Sequence, residues 1–133
     1  LVTANDGMAG GVIARQKVAG VEGKIPVTGQ DATAEGLANV LQGYQCGTVF
    51  KDTSLEAKAA SDLAIAIING DDTTAIATGT VNDSELGKDV PSVLATPVWI
   101  TADNVQDVVD AGQANAADIC KGIEKLCQKY GVS

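Results

Sequence analysis

The first 51 residues constrain the fold most strongly, because short apolar runs alternate there with segments of helical pattern. The apolar runs lie at 1–4, 25–28 and 47–50, and the helical segments between them lie at about 7–19 and 32–41. Strands that alternate with helices in this way indicate βαβ units. We therefore predict an α/β fold built on an open parallel sheet with flanking helices.

A polar residue follows each of the three apolar runs. Asn5, Asp31 and Lys51 stand where the predicted strands end. The carboxyl ends of parallel strands meet at one edge of a sheet, where ligands bind, so we expect the three side chains to point into one cleft. Asp31 supplies acceptors, Lys51 supplies donors and Asn5 supplies one of each kind. This set suits the hydroxyl groups of a small polyhydroxylated molecule.

Each of these residues also has a simpler interpretation. Asn5 and Asp6 precede a helix and can cap its first turn, and Asp31 can do the same before the helix at 32–41. Lys51 is least explained by folding alone, because a lysine at the end of an apolar run gains little from burial. Their shared position at strand ends favours binding over capping.

The strongest helix pattern in the chain covers residues 53–69. Thr53 and Glu56 have the spacing of a capping box at its start. An apolar face then repeats every four residues and needs a partner; its members are Leu55, Ala59, Leu63 and Ile67. Such a face is typical of core architecture, so we do not interpret the helix as a binding groove.

The second half of the chain has weaker strand signals. Residues 73–89 are mostly polar, and Pro91 and Pro97 bracket an apolar stretch. Prolines at this density exclude a central strand and favour an edge strand or an extended crossing between two bodies. Three short helices are predicted in the tail, one of them capped by Asn115.

Composition excludes several classes of function. The net charge is −8, there is a single arginine, Arg15, and the chain contains no histidine. Nucleic-acid binding needs clustered basic residues, so we expect no nucleic-acid partner. Without histidine, the usual nucleophile-activating base and the usual zinc ligand are both missing. We therefore predict no catalytic residues, no metal and no cofactor.

The three cysteines fit no metal or redox motif. Cys120 and Cys127 would lie roughly 10 Å apart on a continuous helix, which is too far for a disulfide. Gly122 lies between them and can break the helix, so a disulfide and two buried thiols remain open as alternatives. Cys46 adjoins a predicted strand, and we expect it to be a small core residue.

The residues at several of these positions resemble a known family. The run 1–11, with its Asn-Asp-Gly-Met-Ala sequence, resembles the Asn-Asp-x-Met-Ala segment of type I periplasmic sugar-binding proteins. Segments 27–32, 48–51, 89–98 and 101–105 resemble the D-xylose-binding branch of ABC transporter solute receptors. The resemblance extends over nearly the whole chain.

In that family two α/β lobes close on a monosaccharide, and the chain crosses between them three times. The resemblance implies that residues 1–51 belong to the second, C-terminal lobe, 52–90 to the first lobe, and 91–133 to the return crossing and the second lobe. The chain would then be the C-terminal portion of a longer protein. We expect the apolar face of the 53–69 helix to be covered by the missing N-terminal lobe, by a second copy or by a rearranged packing.

The same resemblance implies a function. Asn5, Asp31 and Lys51 match hydroxyl-contacting positions of the second lobe and hinge. The whole protein is expected to be the extracytoplasmic solute-binding component of an ABC transporter. It would bind xylose or a related aldose and deliver it to the transmembrane subunits of the permease. The expected location is the periplasm or the outer cell surface, with the protein either free or lipid-anchored.

Two other classes share parts of this pattern. The effector-binding core of a lactose-repressor-type regulator has the same architecture, but such a regulator carries a basic helix-turn-helix upstream, and no segment of this chain has clustered basic residues. A flavodoxin-like phosphotransfer domain built around Asp31 would need an acidic cluster at adjacent strand ends to hold Mg²⁺. Lys51 occupies one of those ends instead.

Overall fold

A computed structural model describes residues 1–133, which divide into two compact units. Unit 1 comprises residues 1–51 and 97–133, and unit 2 comprises residues 52–96. Along the chain the elements are α1 (Asp6–Ala19), β1 (Thr28–Gln30), α2 (Ala34–Leu41), β2 (Gly47–Phe50), α3 (Thr53–Asn69), β3 (Gly79–Asp83), β4 (Lys88–Ser92), β5 (Val98–Ile100), α4 (Val105–Asp110), α5 (Ala116–Cys120) and α6 (Glu124–Tyr130).

Unit 1 is built on a three-stranded sheet in the order β1-β2-β5. β1 and β2 are parallel, with Thr28 opposite Gly47, whereas β5 is antiparallel to β2, with Val98 opposite Phe50. The predicted α/β class with flanking helices is confirmed, but the sheet is mixed because β5 runs back along β2. β5 directly follows Pro97 and lies at the sheet edge, as the prolines predict.

The predicted buried strand at residues 1–4 is wrong. The Leu1 carbonyl accepts a hydrogen bond from the Thr28 amide (3.0 Å), and the Thr3 hydroxyl donates to the Thr28 carbonyl (2.7 Å). These bonds hold the segment beside β1 but do not make a strand of it. No layer covers its apolar side chains, and Val2 is 91% exposed.

The second predicted strand begins three residues late, at Thr28 instead of Ile25. Pro26 has no backbone N–H and so cannot donate to a ladder, which explains the shift. Ile25 is 43% exposed as a result, whereas Val27 is fully buried.

The main core of unit 1 lies between the sheet and the helices that follow it. Leu37, Val40 and Leu41 of α2 face this core, as the helical pattern predicts. The sheet and tail helices contribute other buried residues, including Ile100, Val105, Val108 and Ile119. Asn115 caps α5 as predicted, and its Oδ1 accepts from the Ala117 amide at 2.8 Å.

A disulfide joins Cys120 at the end of α5 to Cys127 in α6, with the two Cα atoms 5.8 Å apart. Gly122 lies between the helices with φ 79° and lets the chain fold back, so the disulfide alternative is confirmed. The prediction for Cys46 is wrong, since this thiol is free and exposed. Successive side chains of an extended segment point to opposite faces. Just before β2, Gln45 points inward, with 1% of its surface exposed, and Cys46 therefore points outward.

Removing this disulfide should destabilise unit 1. The two cysteines are 7 positions apart in the sequence, and the loop-closure entropy for so short a loop predicts that the free energy of unfolding falls by about 2.5 kcal/mol. We expect the Cys120→Ser/Cys127→Ala variant to unfold at correspondingly lower urea. Trp99 is the single tryptophan and lies in unit 1, so its fluorescence reports this transition. Cys46→Ser is the control and should shift the midpoint little; equal midpoints for both variants would contradict the prediction.

Unit 2 consists of α3 and a two-stranded antiparallel hairpin, β3-β4. The N-cap of α3 is Asp52, one residue earlier than the predicted capping box. Its Oδ1 accepts from the hydroxyl (2.6 Å) and the amide (2.9 Å) of Ser54. The hydroxyl bond is the main reason that the pKa of Asp52 lies below its usual value. Pro91 lies in β4, a strand at a sheet edge, as predicted.

Within unit 2 the apolar face of α3 is uncovered. Only Ala66 of this helix is buried, while Leu55 is 57% and Ile67 is 68% exposed. The start of α3 and the segment 93–96 line an open groove of about 760 Å³. Within unit 2, α3 therefore lacks the partner that its sequence pattern predicts. None of the helices has both the length and the apolar character needed to cross a bilayer.

Candidate ligand-binding site

Two of the three predicted site residues form an ion pair. Asp31 directly follows β1 and Lys51 directly follows β2, and because these strands are parallel the two side chains meet at one sheet edge. Lys51 Nζ lies 3.1 Å from Asp31 Oδ1. The side chains remain 35% and 45% exposed, respectively, so both charges are accessible to a ligand.

The residues on either side of Asn5 contact the segment 30–33, which contains Asp31. The Ala4 carbonyl accepts from Gln30 Nε2 (3.4 Å), and the Asp6 carboxylate accepts from the Thr33 amide (2.8 Å). Asn5 Oδ1 itself accepts from the Met8 amide at 2.9 Å, so the capping interpretation of this residue is confirmed. Its side-chain NH₂ is left as the donor that it can offer to a ligand. Contact of all three residues with one ligand stays a prediction.

Asp31 is not a helix cap. Thr33 is the N-cap of α2, and its hydroxyl accepts from the Gly36 amide at 3.1 Å. Asp31 and Ala32 both have positive φ, at 94° and 48°, in a region that non-glycine residues rarely adopt. The Asp31 amide still donates to the Val49 carbonyl (2.8 Å). This conformation turns the chain sharply and leaves the Asp31 carboxylate at Lys51.

The sequence did not reveal a buried polar network beneath this turn. Asp6 is 2% exposed and accepts four hydrogen bonds. Its Oδ2 accepts from the Thr33 amide (2.8 Å) and hydroxyl (3.2 Å), and its Oδ1 accepts from Gln45 Nε2 and the Thr48 hydroxyl (2.8 Å each). The Asp6 carboxylate, for which the sequence pattern indicated a capping role, is thus the centre of the network under the site.

Two glycines were the available signal for this network. A Cβ atom at Gly29 or at Gly36 would collide with the Asp6 carboxylate. Thr48, a polar residue inside the apolar run of β2 and fully buried, was a second signal. These three positions were local irregularities in the sequence, but none of them identified Asp6 as the shared partner.

The arrangement suits recognition of hydroxyl groups. A carboxylate and an ammonium group 3.1 Å apart offer acceptors and donors to neighbouring hydroxyls. The two groups pair with each other, which limits the conformational freedom of both side chains.

The sequence matches known proteins over most of its length. Residues 1–72 match the family model described as periplasmic binding protein domain. The D-xylose-binding periplasmic protein of Escherichia coli (strain K12) is 37% identical over 109 residues, which is 82% of this chain and 32% of that protein. The multiple sugar-binding periplasmic receptor ChvE of Rhizobium radiobacter is 33% identical over 120 residues, covering 87% of this chain and 33% of that receptor.

A solved structure shows the same fold. It is a carbohydrate transporter solute binding protein from Chloroflexus aurantiacus in complex with D-glucose, with 31% identity and a TM-score of 0.70. The match covers 88% of this chain and 34% of that one, so the chain spans about a third of the length of the proteins it matches. The predicted resemblance to sugar-binding receptors of the D-xylose branch is confirmed. The chain belongs to the periplasmic binding protein family.

Proposed function

We propose that the full-length protein is a non-catalytic, extracytoplasmic receptor that binds an aldose monosaccharide and delivers it to an ABC permease. The observation that carries this proposal is the Asp31–Lys51 pair at the ends of adjacent parallel strands. The names of the matched proteins, which refer to D-xylose, multiple sugars and D-glucose, support an aldose. Two of these proteins are named as periplasmic, which supports a location in the periplasm or at the outer cell surface.

The three polar side chains would divide the sugar hydroxyls by hydrogen-bonding role. Asp31 would accept from hydroxyl groups, while Lys51 and the side-chain NH₂ of Asn5 would donate to them. Hydrogen bonds that involve a charged partner are the stronger ones, so Asp31 and Lys51 would contribute most to affinity.

We further propose that residues 1–51 belong to the second lobe, residues 52–90 to the first, and residues 91–133 to the return crossing and the C-terminal part of the second lobe. The division into two compact units supports the boundary after Lys51, whereas the second unit boundary, before Pro97, lies six residues after the proposed one. The chain would then cross between lobes that close on the sugar by a hinge motion and exclude water from it. Lys51 stands at such a crossing.

Calorimetric titration of the full-length protein with a panel of pentoses and hexoses tests the proposed function. We expect saturable binding of at least one aldose with a stoichiometry of one. Free amino acids serve as the matched control panel, since they also carry donors and acceptors but lack the ring of hydroxyls. Binding of an amino acid and of no sugar would overturn the proposal.

The lobe assignment predicts different protection of α3 in two forms of the protein. Its exposed apolar face should be covered by the first lobe in the full-length protein. We expect α3 amides to exchange with deuterium about 100-fold more slowly there than in the isolated 133-residue chain. α1 is the internal control and should be protected in both forms. Strong protection of α3 in a dilute monomer of the isolated chain would contradict the assignment.

A further inference from the structure

We propose that Asp6 is a positioning residue of the sugar site, whose buried carboxylate fixes the turn 31–33 and thereby the placement of Asp31. This role deepens the proposed function and rests on it, because it acts through Asp31. Asp6 itself is 2% exposed and lies beneath the turn, so it is not offered as a ligand contact.

Two consecutive amide groups after Asp31 are tied to this one carboxylate. The Thr33 amide donates directly to Asp6 Oδ2 at 2.8 Å. The Ala32 amide donates to Thr48 Oγ1 at 3.3 Å, and the Thr48 hydroxyl in turn donates to Asp6 Oδ1 at 2.8 Å. The backbone directly after the ligand-facing aspartate is therefore held from below by Asp6.

The turn needs this support because its conformation is strained. Asp31 (φ 94°) and Ala32 (φ 48°) both adopt a left-handed conformation without being glycine. Strained residues of this kind persist only where the surrounding structure fixes them, and they cluster at binding sites. If the Asp6 carboxylate were lost, the turn would relax and the Asp31 carboxylate would move away from its place beside Lys51.

The surroundings of Asp6 also fit this role better than capping alone. Asn5 already caps α1. Asp6 is enclosed by Gly29 and Gly36, which have no side chain to fill the space that its carboxylate occupies. Its four hydrogen bonds come from neutral donors, and a buried carboxylate held in this way is costly to fold. We infer that the cost is retained because the carboxylate orients the turn.

The first test measures affinity for D-xylose and D-glucose in the full-length protein. Asp6→Asn keeps the shape but turns one acceptor into a donor, and it should raise Kd about tenfold or more. Thr48→Val breaks the link to Ala32 and should act in the same direction, whereas Thr48→Ser keeps the hydroxyl and should stay within about twofold of wild type. If the Asp6→Asn variant does not fold, the comparison of Thr48→Val with Thr48→Ser still tests the positioning role.

A stability control separates positioning from general loosening. Val108 is fully buried in the core and is not one of the Asp6 network residues. Val108→Ala should lower stability, yet it should leave Kd within about twofold of wild type under conditions where the protein stays folded. Equal losses of affinity in Asp6→Asn and Val108→Ala would overturn the inference.

A double-mutant cycle asks whether Asp6 acts through Asp31. In an Asp31→Asn background, Asp6→Asn should cost less than about threefold in Kd, because the residue being positioned is no longer a carboxylate. Fully additive losses would overturn the inference. If Asp31→Asn leaves sugar affinity unchanged, the proposed function of Asp31 fails; if it weakens binding and Asp6→Asn does not, only the positioning role fails.

A readout without ligand completes the test. In ¹H–¹⁵N spectra, Asp6→Asn should split or broaden the amide signals of Ala32 and Thr33, and Val108→Ala should not. Unchanged signals at both amides would overturn the positioning role whether or not a sugar binds. Altered signals together with an absence of binding to any aldose would instead overturn the proposed function.

Discussion

Replacing Asp31 with alanine in the full-length protein is expected to weaken aldose binding about 100-fold, which corresponds to ~2.7 kcal/mol. If the proposed function is correct, the substitution removes the charged acceptor of the site and leaves Lys51 and the sugar hydroxyls without their partner after the lobes close. The loss of a charged hydrogen-bond partner at a buried site costs a binding free energy of about this size. Calorimetric titration with the sugar that binds wild type measures the change directly.

Asp62→Ala is the matched control for this experiment. Asp62 also pairs with a lysine, Lys58, at 2.6 Å, and its side chain is 42% exposed, close to the 45% of Asp31. Exposed pairs of this kind contribute about 1 kcal/mol or less to stability, so neither substitution should unfold the protein. Sugar affinity should be unchanged in Asp62→Ala. An Asp31→Ala variant that keeps wild-type affinity for every pentose and hexose would refute the assignment of Asp31.

The elements that sequence reasoning placed well are those with local signals. α3 was predicted at its observed bounds because a four-residue apolar repeat runs along it and Gly70, directly after it, ends it. β2 was predicted at its bounds for a similar reason, since an apolar run ends there at a charged residue. Periodicity and capping act over a few residues and can be read without the tertiary structure.

The features that the sequence did not predict depend on contacts between residues that are far apart in the chain. The apolar run at 1–4 reads as a strand, but whether it is buried depends on a covering layer that the run does not encode. Likewise, burial of the Asp6 carboxylate depends on donors 27, 39 and 42 positions away, at Thr33, Gln45 and Thr48. A pattern confined to one element contains no information on such distant partners.

The site itself was predictable in outline. Parallel strands bring the residues after them to one edge, and this rule placed Asp31 beside Lys51. The left-handed conformation of Asp31 was not predictable, because a glycine is the usual signal for such a turn. The sequence also left open whether the side-chain oxygen Oδ1 of Asn5 caps α1 or contacts a ligand.

Gly36→Ala is expected to destabilise unit 1 by about 3 kcal/mol, even though alanine favours a helix. Gly36 lies in α2, and a Cβ atom there would collide with the Asp6 carboxylate. Either the helix or the carboxylate must move, and moving the carboxylate breaks its bonds to Thr33 and Thr48. Urea unfolding of the 133-residue chain, followed by Trp99 fluorescence, measures the loss.

Gly11→Ala makes this experiment decisive, because it is the same substitution in another helix. Gly11 lies in α1, and a Cβ atom there would have nothing within 4 Å. Helix propensity alone should therefore stabilise Gly11→Ala by up to about 1 kcal/mol. Opposite signs at Gly11 and Gly36 would show that the space around the Asp6 carboxylate, and not the glycine backbone, decides the outcome. A stabilised Gly36→Ala variant would mean that the Asp6 carboxylate is free to move, and that it does not fix the turn 31–33.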